Sequence, residues 1–360
     1  MTRFIQLHLL TAYPAANLNR DDTGRPKTLT FGGAERLRIS SQSLKRAFRQ
    51  SAVFAEKLPG ALGVRSLDFM RALVVALEAR GLSPEAATAR AEALIEHDKL
   101  GKVKKGKAQT EQLVHLGPDE LATIAELADR LATDDVPHDK AMIVLKDKPR
   151  AADIAMFGRM LADNSGFNVE AAVQVAHAFT THRVAVEDDY YTAVDDLKNA
   201  DRDQDRGAGF IGVQEYGAGL FYLYICINAD LLSENLSGDV SLCADTVEAL
   251  VRAATTVSPT GKQNAFASRA KAVYALAEIG EETPRTLASA FQHGVGARPG
   301  EDDQIAASIS RLRDLRAGFA KAYEEHFDVS VEMVVGESTG ASLSDLIAAT
   351  RAIFQPTTAV

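Results

Sequence analysis

Residues 219–229, GLFYLYICINA, limit the possible folds more than any other stretch of the chain. Aromatic and β-branched residues favour an extended, packed backbone. The apolar part of the run is too short for a membrane-spanning helix, which needs roughly 20 residues. It reads as the strongest strand in the sequence, and the other segments read as its neighbours. Residues 3–10 alternate, with Ile5, Leu7 and Leu9 on one side and Gln6, His8 and Leu10 on the other, the pattern of a half-buried strand. Residues 13–34 are polar and punctuated by Pro14, Gly24, Pro26 and Gly32-Gly33, which predicts a loop. A helix is expected from Ser41, capped by Ser40 or Ser41, with Leu44, Ala47, Phe48 and Ala52 as its apolar stripe.

Between residues 66 and 135 the composition turns to alanine and leucine. Three helices are expected there, starting near Ser66, at Ser83-Pro84 with proline in the first helical position, and at Pro118-Asp119. A lysine loop (Lys99, Lys102, Lys104, Lys105, Lys107) separates the last two. The block reads as an inserted helical subdomain bounded near Leu58-Pro59-Gly60. Beyond it, Asn168 is expected to cap a helix to about Thr181. Residues 187–206 are acidic and polar, 272–279 fit strand or helix, 303–326 and 343–354 read as helices, and 329–335 reads as a strand. The mixture predicts an α+β sandwich.

With 360 residues the chain has room for about two domains. Two cysteines, Cys226 and Cys243, cannot build a disulfide framework, which points to a reducing compartment. The apolar N-terminal stretch contains Gln6 and His8 and has no small-residue cleavage site, so no signal peptide is read and a cytoplasmic protein without membrane contact is expected. A net charge of −9 argues against nucleic acid as a partner, yet the charge is segregated. Arg20, Arg25, Lys27, Arg36, Arg38, Lys45, Arg46 and Arg49 face only Asp21, Asp22 and Glu35 between residues 20 and 49. Such a basic patch on an acidic body draws a polyanion to one place.

Other motifs carry less. Gly207–Gly212 fits GxGxxG but follows an acidic loop and precedes a strand, the wrong context for a dinucleotide. Gly336–Gly340 fits GxSxG between a strand and a helix, but no histidine follows Ser338, so a tight turn capped by Ser342 or Ser344 is expected. His177 and His182, five apart on the expected helix, miss the i, i+4 spacing of zinc ligands. Pro259-Thr260-Gly261-Lys262 lacks most of a phosphate loop, although one lysine near a phosphate fits. Asp21 and Asp22 are a solvated pair or, in the competing reading, ligands of a metal-dependent ribonuclease. No cofactor is called for.

On the helix from Ser41, Gln42, Lys45, Arg46 and Arg49 fall at i, i+3, i+4 and i+7 and share one face. Together with Arg20 and Lys27 in the preceding loop, this row suits either open solvent or phosphates spaced along a strand.

The residues Asn17–Asp22, Pro26-Lys27, Phe31–Gly33 and Arg38–Arg46 resemble the CasC family, the backbone subunit of the type I-E CRISPR surveillance complex, Cascade. Asp153–Met160, His177–His182, Thr192–Leu197, Gln214–Tyr216 and Gly261–Gln263 continue the resemblance over roughly three quarters of the chain. It implies an RRM-like (ferredoxin-like) palm at 1–57 and 138–354, helical fingers at 58–137 and a thumb hairpin at about 190–222. It further implies a non-catalytic scaffold whose copies stack head to tail along a CRISPR guide RNA, beside other Cascade subunits, with target DNA engaged through the guide. The family's phosphate contacts fall on Arg20, Lys27, Gln42, Lys45, Arg46 and Arg49, with Lys262 as an addition. Its base wedge falls on Phe167 and its thumb-tip apolar pair near Ile211 and Val213.

Overall fold

The computed structural model describes residues 2–104, 106–133, 144–193, 210–296 and 300–355. The strands are β1 (Phe4–Ala16), β2 (Thr28–Phe31), β3 (Ala34–Ile39), β4 (Val64–Ser66), β5 (Val114–Leu116), β6 (Val173–Val175), β7 (Ala178–Thr180), β8 (Glu187–Ala193), β9 (Phe210–Asn228), β10 (Ala272–Gly280) and β11 (Val329–Val334). The helices are α1 (Ser41–Arg49), α2 (Ala52–Lys57), α3 (Phe69–Glu78), α4 (Pro84–His97), α5 (Pro118–Thr133), α6 (Ala152–Phe157), α7 (Ala229–Asn235), α8 (Val240–Thr256), α9 (Gln263–Phe266), α10 (Gln304–Tyr323) and α11 (Leu343–Ala352).

Among the described residues, one large antiparallel sheet runs in the order β11-β10-β1-β9-β7-β3-β2, with β6 and β8 also paired to β9. The α+β expectation is met. β9 is the organising strand. Its apolar half pairs with β1 from Phe4↔Asn228 to Tyr13↔Gly219, and its N-terminal half pairs with β8 as a projecting ribbon, Glu187↔Tyr216 to Ala193↔Phe210.

Helices cover both faces of the sheet. Ile5, Leu7 and Leu9 pack with α8, whose Val247, Leu250 and Val251 are buried. Leu10, on the other face, packs with Tyr222, Tyr274, Phe291, Ile309 and Leu312, the last two from α10. The half-buried reading of residues 3–10 is therefore corrected. Gln6 and His8 are buried as well, and each is satisfied. The Gln6 side-chain oxygen accepts from the Tyr224 hydroxyl at 2.9 Å and the Arg285 amide at 2.7 Å. His8 Nδ1 lies 2.9 Å from the Tyr222 hydroxyl. Hydrogen bonding removes the cost that would otherwise keep such residues at the surface.

Two further expectations change. Residues 168–181 are not a helix. They hold β6 and β7, which pair with Ile225–Ile227 and with Phe221-Tyr222 of β9. The polar loop begins later than expected, since β1 runs to Ala16, and it contains β2. The ambiguous segment 272–279 is strand β10, paired on both sides.

The block of α3, α4 and α5 has its own apolar cluster, including Leu73, Leu77, Leu94, Leu127 and Leu131, joined by Leu145 and Leu161. Ser83 caps α4 with Pro84 in the first turn, as its sequence requires. Two ion pairs with buried carboxylates fasten this block. Arg49 of α1 meets Asp153 of α6 at 2.8 Å, with His115 of β5 3.0 Å from the same carboxylate oxygen. Arg159 meets Glu120 of α5 at 2.7 Å, both side chains buried.

Candidate nucleic-acid interface

The site is built on the junction of the 17–27 loop with α1. Ser40 caps α1, its hydroxyl accepting from the Ser43 amide at 3.3 Å. Leu44 and Phe48 bury the inner face of the helix, so Gln42 and Arg46, one turn apart, face solvent. The loop is then tied to this helix and to the sheet. The Ser40 amide donates to Asn19 Oδ1 at 2.9 Å, and Asn17 Nδ2 donates to the carbonyls of Gly24 and Glu215 at 3.0 and 2.8 Å. The Lys27 amide donates to the Asn19 carbonyl, and the Arg38 amide to the Lys27 carbonyl. Arg20 stands exposed on the fixed loop and Lys27 is half-buried beneath it.

Lys45 is half-buried with its ammonium 5.5 Å from the centre of the Phe157 ring. Burial pushes its pKa below the usual lysine value, and the ring face partly compensates the charge. Lys27 and Arg38 approach His177, whose Nδ1 lies 2.8 Å from Arg38 Nη1. Burial and then the charges of Arg38 and Lys27 hold the imidazole pKa below its usual value, which keeps that ring neutral beside two cations. The Arg38–His177 contact escaped the sequence reading, because a helix was expected there and the two residues lie far apart in the chain.

Three of the sequence-counted cations are not free. Arg49 is committed to Asp153. Arg36 is fully buried and donates to the carbonyls of Thr180 and Phe291 at 3.2 and 3.1 Å. Arg25 pairs with Glu215 at 2.6 Å. The ridge that remains consists of Arg20, Lys27, Arg38, Lys45 and Arg46, with Gln42 one turn before the last two on α1.

Gly261-Lys262 meets the 17–24 loop from a distant part of the chain. Gly261 lies so close to the 17–24 loop that a Cβ would sit 2.4 Å from the Leu18 carbonyl oxygen. Lys262 itself takes a left-handed φ of 51° and reaches Gln214 Oε1 of β9 at 3.4 Å. Ile211 and Val213, two residues apart on the β8–β9 ribbon, are 57% and 62% exposed, and Tyr190 opposite Val213 is 62% exposed. The three share one face of the ribbon, and Tyr190 was hidden from sequence reading by the acidic composition around it. Residues 194–209 lie outside the described residues, and with them Gly207–Gly209 of the glycine motif and Val194–Leu197; so does Lys105.

Phe167 lies in the connection between α6 and β6. It is half-buried on the cluster of the helical block, and its carbonyl accepts from Arg159 Nε and Nη2 at 3.2 and 3.0 Å. The buried Arg159–Glu120 pair therefore fixes the loop that carries the ring.

Among the described residues the alternative motifs sit on separate elements. The Asp21 carboxylate accepts from the Thr23 hydroxyl and amide and the Arg25 amide, at 2.8, 2.9 and 3.0 Å. The Thr23 hydroxyl above all holds its pKa below the carboxylate range. Among the described residues no group of three His, Cys, Asp or Glu side chains could hold a metal ion. His177 and His182 follow separate short strands rather than one helix. The 336–340 segment is a turn, and Ser342 with Asp345 forms the capping box of α11. No helix among the described residues is long and apolar enough to cross a membrane.

Two solved structures resemble this chain over nearly its whole length. A chain of a "CRISPR RNA-guided surveillance complex, pre-nicking" is 30% identical with a TM-score of 0.84, covering 98% of this chain and 100% of its own. A chain of a "CRISPR RNA-guided surveillance complex" is 27% identical with a TM-score of 0.72, covering 97% and 99%. No curated protein matches. The sequence model of the CT1975-like proteins matches residues 5–355. The chain belongs to the CT1975-like protein family.

Proposed function

We propose that this protein is the guide-RNA-binding backbone subunit of a Cascade-type CRISPR surveillance complex, of type I-E. The observation that carries the reading is the likeness to a chain of an RNA-guided surveillance complex across 98% of this sequence. The ridge of Arg20, Lys27, Lys45 and Arg46 supports it. These cations would contact guide phosphates, which position a strand without reading it. Sequence is then read by pairing of the guide with target DNA. The large sheet would serve as an RRM-like palm, residues 58–137 as fingers and the β8–β9 ribbon as a thumb. On this reading, copies stack head to tail through heterologous contacts, which make an open filament when the rotation does not close. The ribbon of one copy, with Ile211 and Val213, reaches over RNA held by the next. Phe167 would wedge against a base, whose π-face every nucleotide offers. The protein itself is a scaffold of the cytoplasm and catalyses nothing.

The test is charge reversal. Lys45→Glu with Arg46→Glu should weaken binding of single-stranded RNA by at least about 100-fold, equally for unrelated sequences, and flatten the salt dependence. A loss confined to one sequence would contradict phosphate recognition. Metal-dependent RNA cleavage abolished by Asp22→Asn would replace the scaffold reading with the ribonuclease one.

A further inference from the structure

Beside the ridge lies a recess of about 690 Å³ between α1, the start of α2 and the segment 256–271. Its charged lining residues are Arg46, Arg269 and Lys271, and no Asp or Glu lines it. All three cations are exposed, and none has an ion-pair partner among the described residues. Uncompensated cations converging on one recess raise its potential and draw an anion in.

The outer wall is held in place. The Ser258 hydroxyl accepts from the Ala270 amide at 3.2 Å and lies 3.3 Å from the Ala270 carbonyl, so both ends of the 258–270 loop are clasped. Ala270 sits between Arg269 and Lys271, so the clasp sets the positions of both cations. Gly261 seats the middle of the same loop on Leu18. Leu18 and Gly261 also line a second recess, of about 510 Å³, where Arg20 stands beside Asp21 and Asp22. The two recesses therefore adjoin, and Arg46 belongs to both the ridge and the first of them.

We infer that Arg269 and Lys271 form a second phosphate-binding wall, and that the RNA strand runs in the cleft between them and Arg46 rather than across an open face. The inference rests on the proposed function and extends it to residues from a different part of the chain. RNA is favoured over an acidic protein segment because the recess continues the cationic ridge and shares Arg46 with it.

The experiment uses the full chain, fluorescence anisotropy with a labelled single-stranded RNA, and a salt titration. Arg269→Ala with Lys271→Ala should weaken binding about tenfold and lower the slope of log K against log salt by about 1.4, at roughly 0.7 per lost phosphate contact on a single strand. Lys321→Ala, an exposed cation on α10 outside the recess, should change neither. Circular dichroism should be unaltered, since both residues are exposed. Unchanged affinity and slope in the double variant, with wild type binding RNA, would overturn the inference and leave the proposed function standing. Wild type that binds no RNA at all would overturn both. RNA binding intact but self-association lost in sedimentation velocity would assign the recess to an acidic segment of a second copy, and would also overturn it.

Discussion

The side-chain oxygen of Asn19 accepts the backbone N–H of Ser40 at 2.9 Å, and this bond locks the 17–27 loop against the start of α1. It ties the loop that carries Arg20 to the start of the helix that carries Arg46. Removing it should loosen the row without touching any cation. Asn19→Ala is expected to cost about 1 kcal/mol and to weaken RNA binding several-fold, read by anisotropy. Equal affinity in the variant would mean that the loop needs no such anchor.

Arg46 and Arg49 lie three residues apart on one helix and should behave in opposite ways. Arg49→Ala leaves the buried Asp153 carboxylate without its cation, which costs about 3–5 kcal/mol, so the thermal midpoint should fall by several degrees. Arg46→Ala should leave that midpoint unchanged and weaken RNA binding. The Asp153 carboxyl would be raised by burial. The His115 hydrogen bond, the charges of His115 and Arg49 and the Gly63 amide instead bring it below its usual value. Its contribution is therefore present above about pH 4 and is lost as pH falls through the folded-state value. Thermal melts of both variants between pH 7 and pH 3 check this, and a midpoint of Arg49→Ala equal to wild type would refute the structural role.

Much of this was legible in sequence, and the failures share one cause. Ser40, Ser83-Pro84 and Ser342 announce helix starts through local hydrogen bonds, and residues 219–229 announce a strand through their own composition. Residues 168–181 failed because Ala171, Ala172, Ala176 and Ala178 favour a helix locally, while pairing with Ile225–Ile227 decides the outcome. Arg36 and Arg49 read as surface cations because their partners, Thr180, Phe291 and Asp153, are more than 100 residues away. Gly261 showed no signal of its own, since its tight approach to Leu18 exists only in the fold.

Arg159 should be indispensable to the loop that carries Phe167. Arg159→Ala strands Glu120 as a buried, unpaired charge and removes both donors from the Phe167 carbonyl. A loss of about 3–5 kcal/mol in urea denaturation is expected, with faster proteolysis at residues 160–168. Arg159→Lys should restore little, because one ammonium cannot replace the guanidinium fork. Full rescue by lysine would show that charge alone suffices.

Acid should weaken the sheet's second face. His8 is buried, and burial holds its pKa below 6.5 in spite of Glu278, with Arg285 and Arg316 acting in the same direction as burial. The unfolded chain therefore binds a proton that the folded chain refuses, so stability falls as pH drops below about 6.5. Glu278 follows the same sign lower down. Although burial opposes it, hydrogen bonds from His8 and Arg285 and the charge of Arg285 bring it to about 2, so its share is lost as pH falls from about 4.5. Thermal midpoints should decline from pH 7 to pH 5, and His8→Gln should flatten the upper part of that decline. A midpoint that is constant between pH 7 and pH 5 would contradict a neutral buried His8.

Gly261→Ala places a methyl carbon 2.4 Å from the Leu18 carbonyl oxygen. The 258–270 loop must lift, at about 1–3 kcal/mol for an overpacked contact, and Lys262 and Arg269 move with it. Lower stability together with weaker RNA binding is expected, and a variant with wild-type melting and affinity would show that the loop is free of the 17–24 segment.

The most direct measurement is to express the chain with a CRISPR array, purify it, and extract and size whatever nucleic acid it carries. RNA of discrete length, present with wild type and lost when Arg20, Lys27, Lys45 and Arg46 are all changed to alanine, is the expected result. Protein that comes through free of RNA, or a quadruple variant that retains as much RNA as wild type, would contradict it.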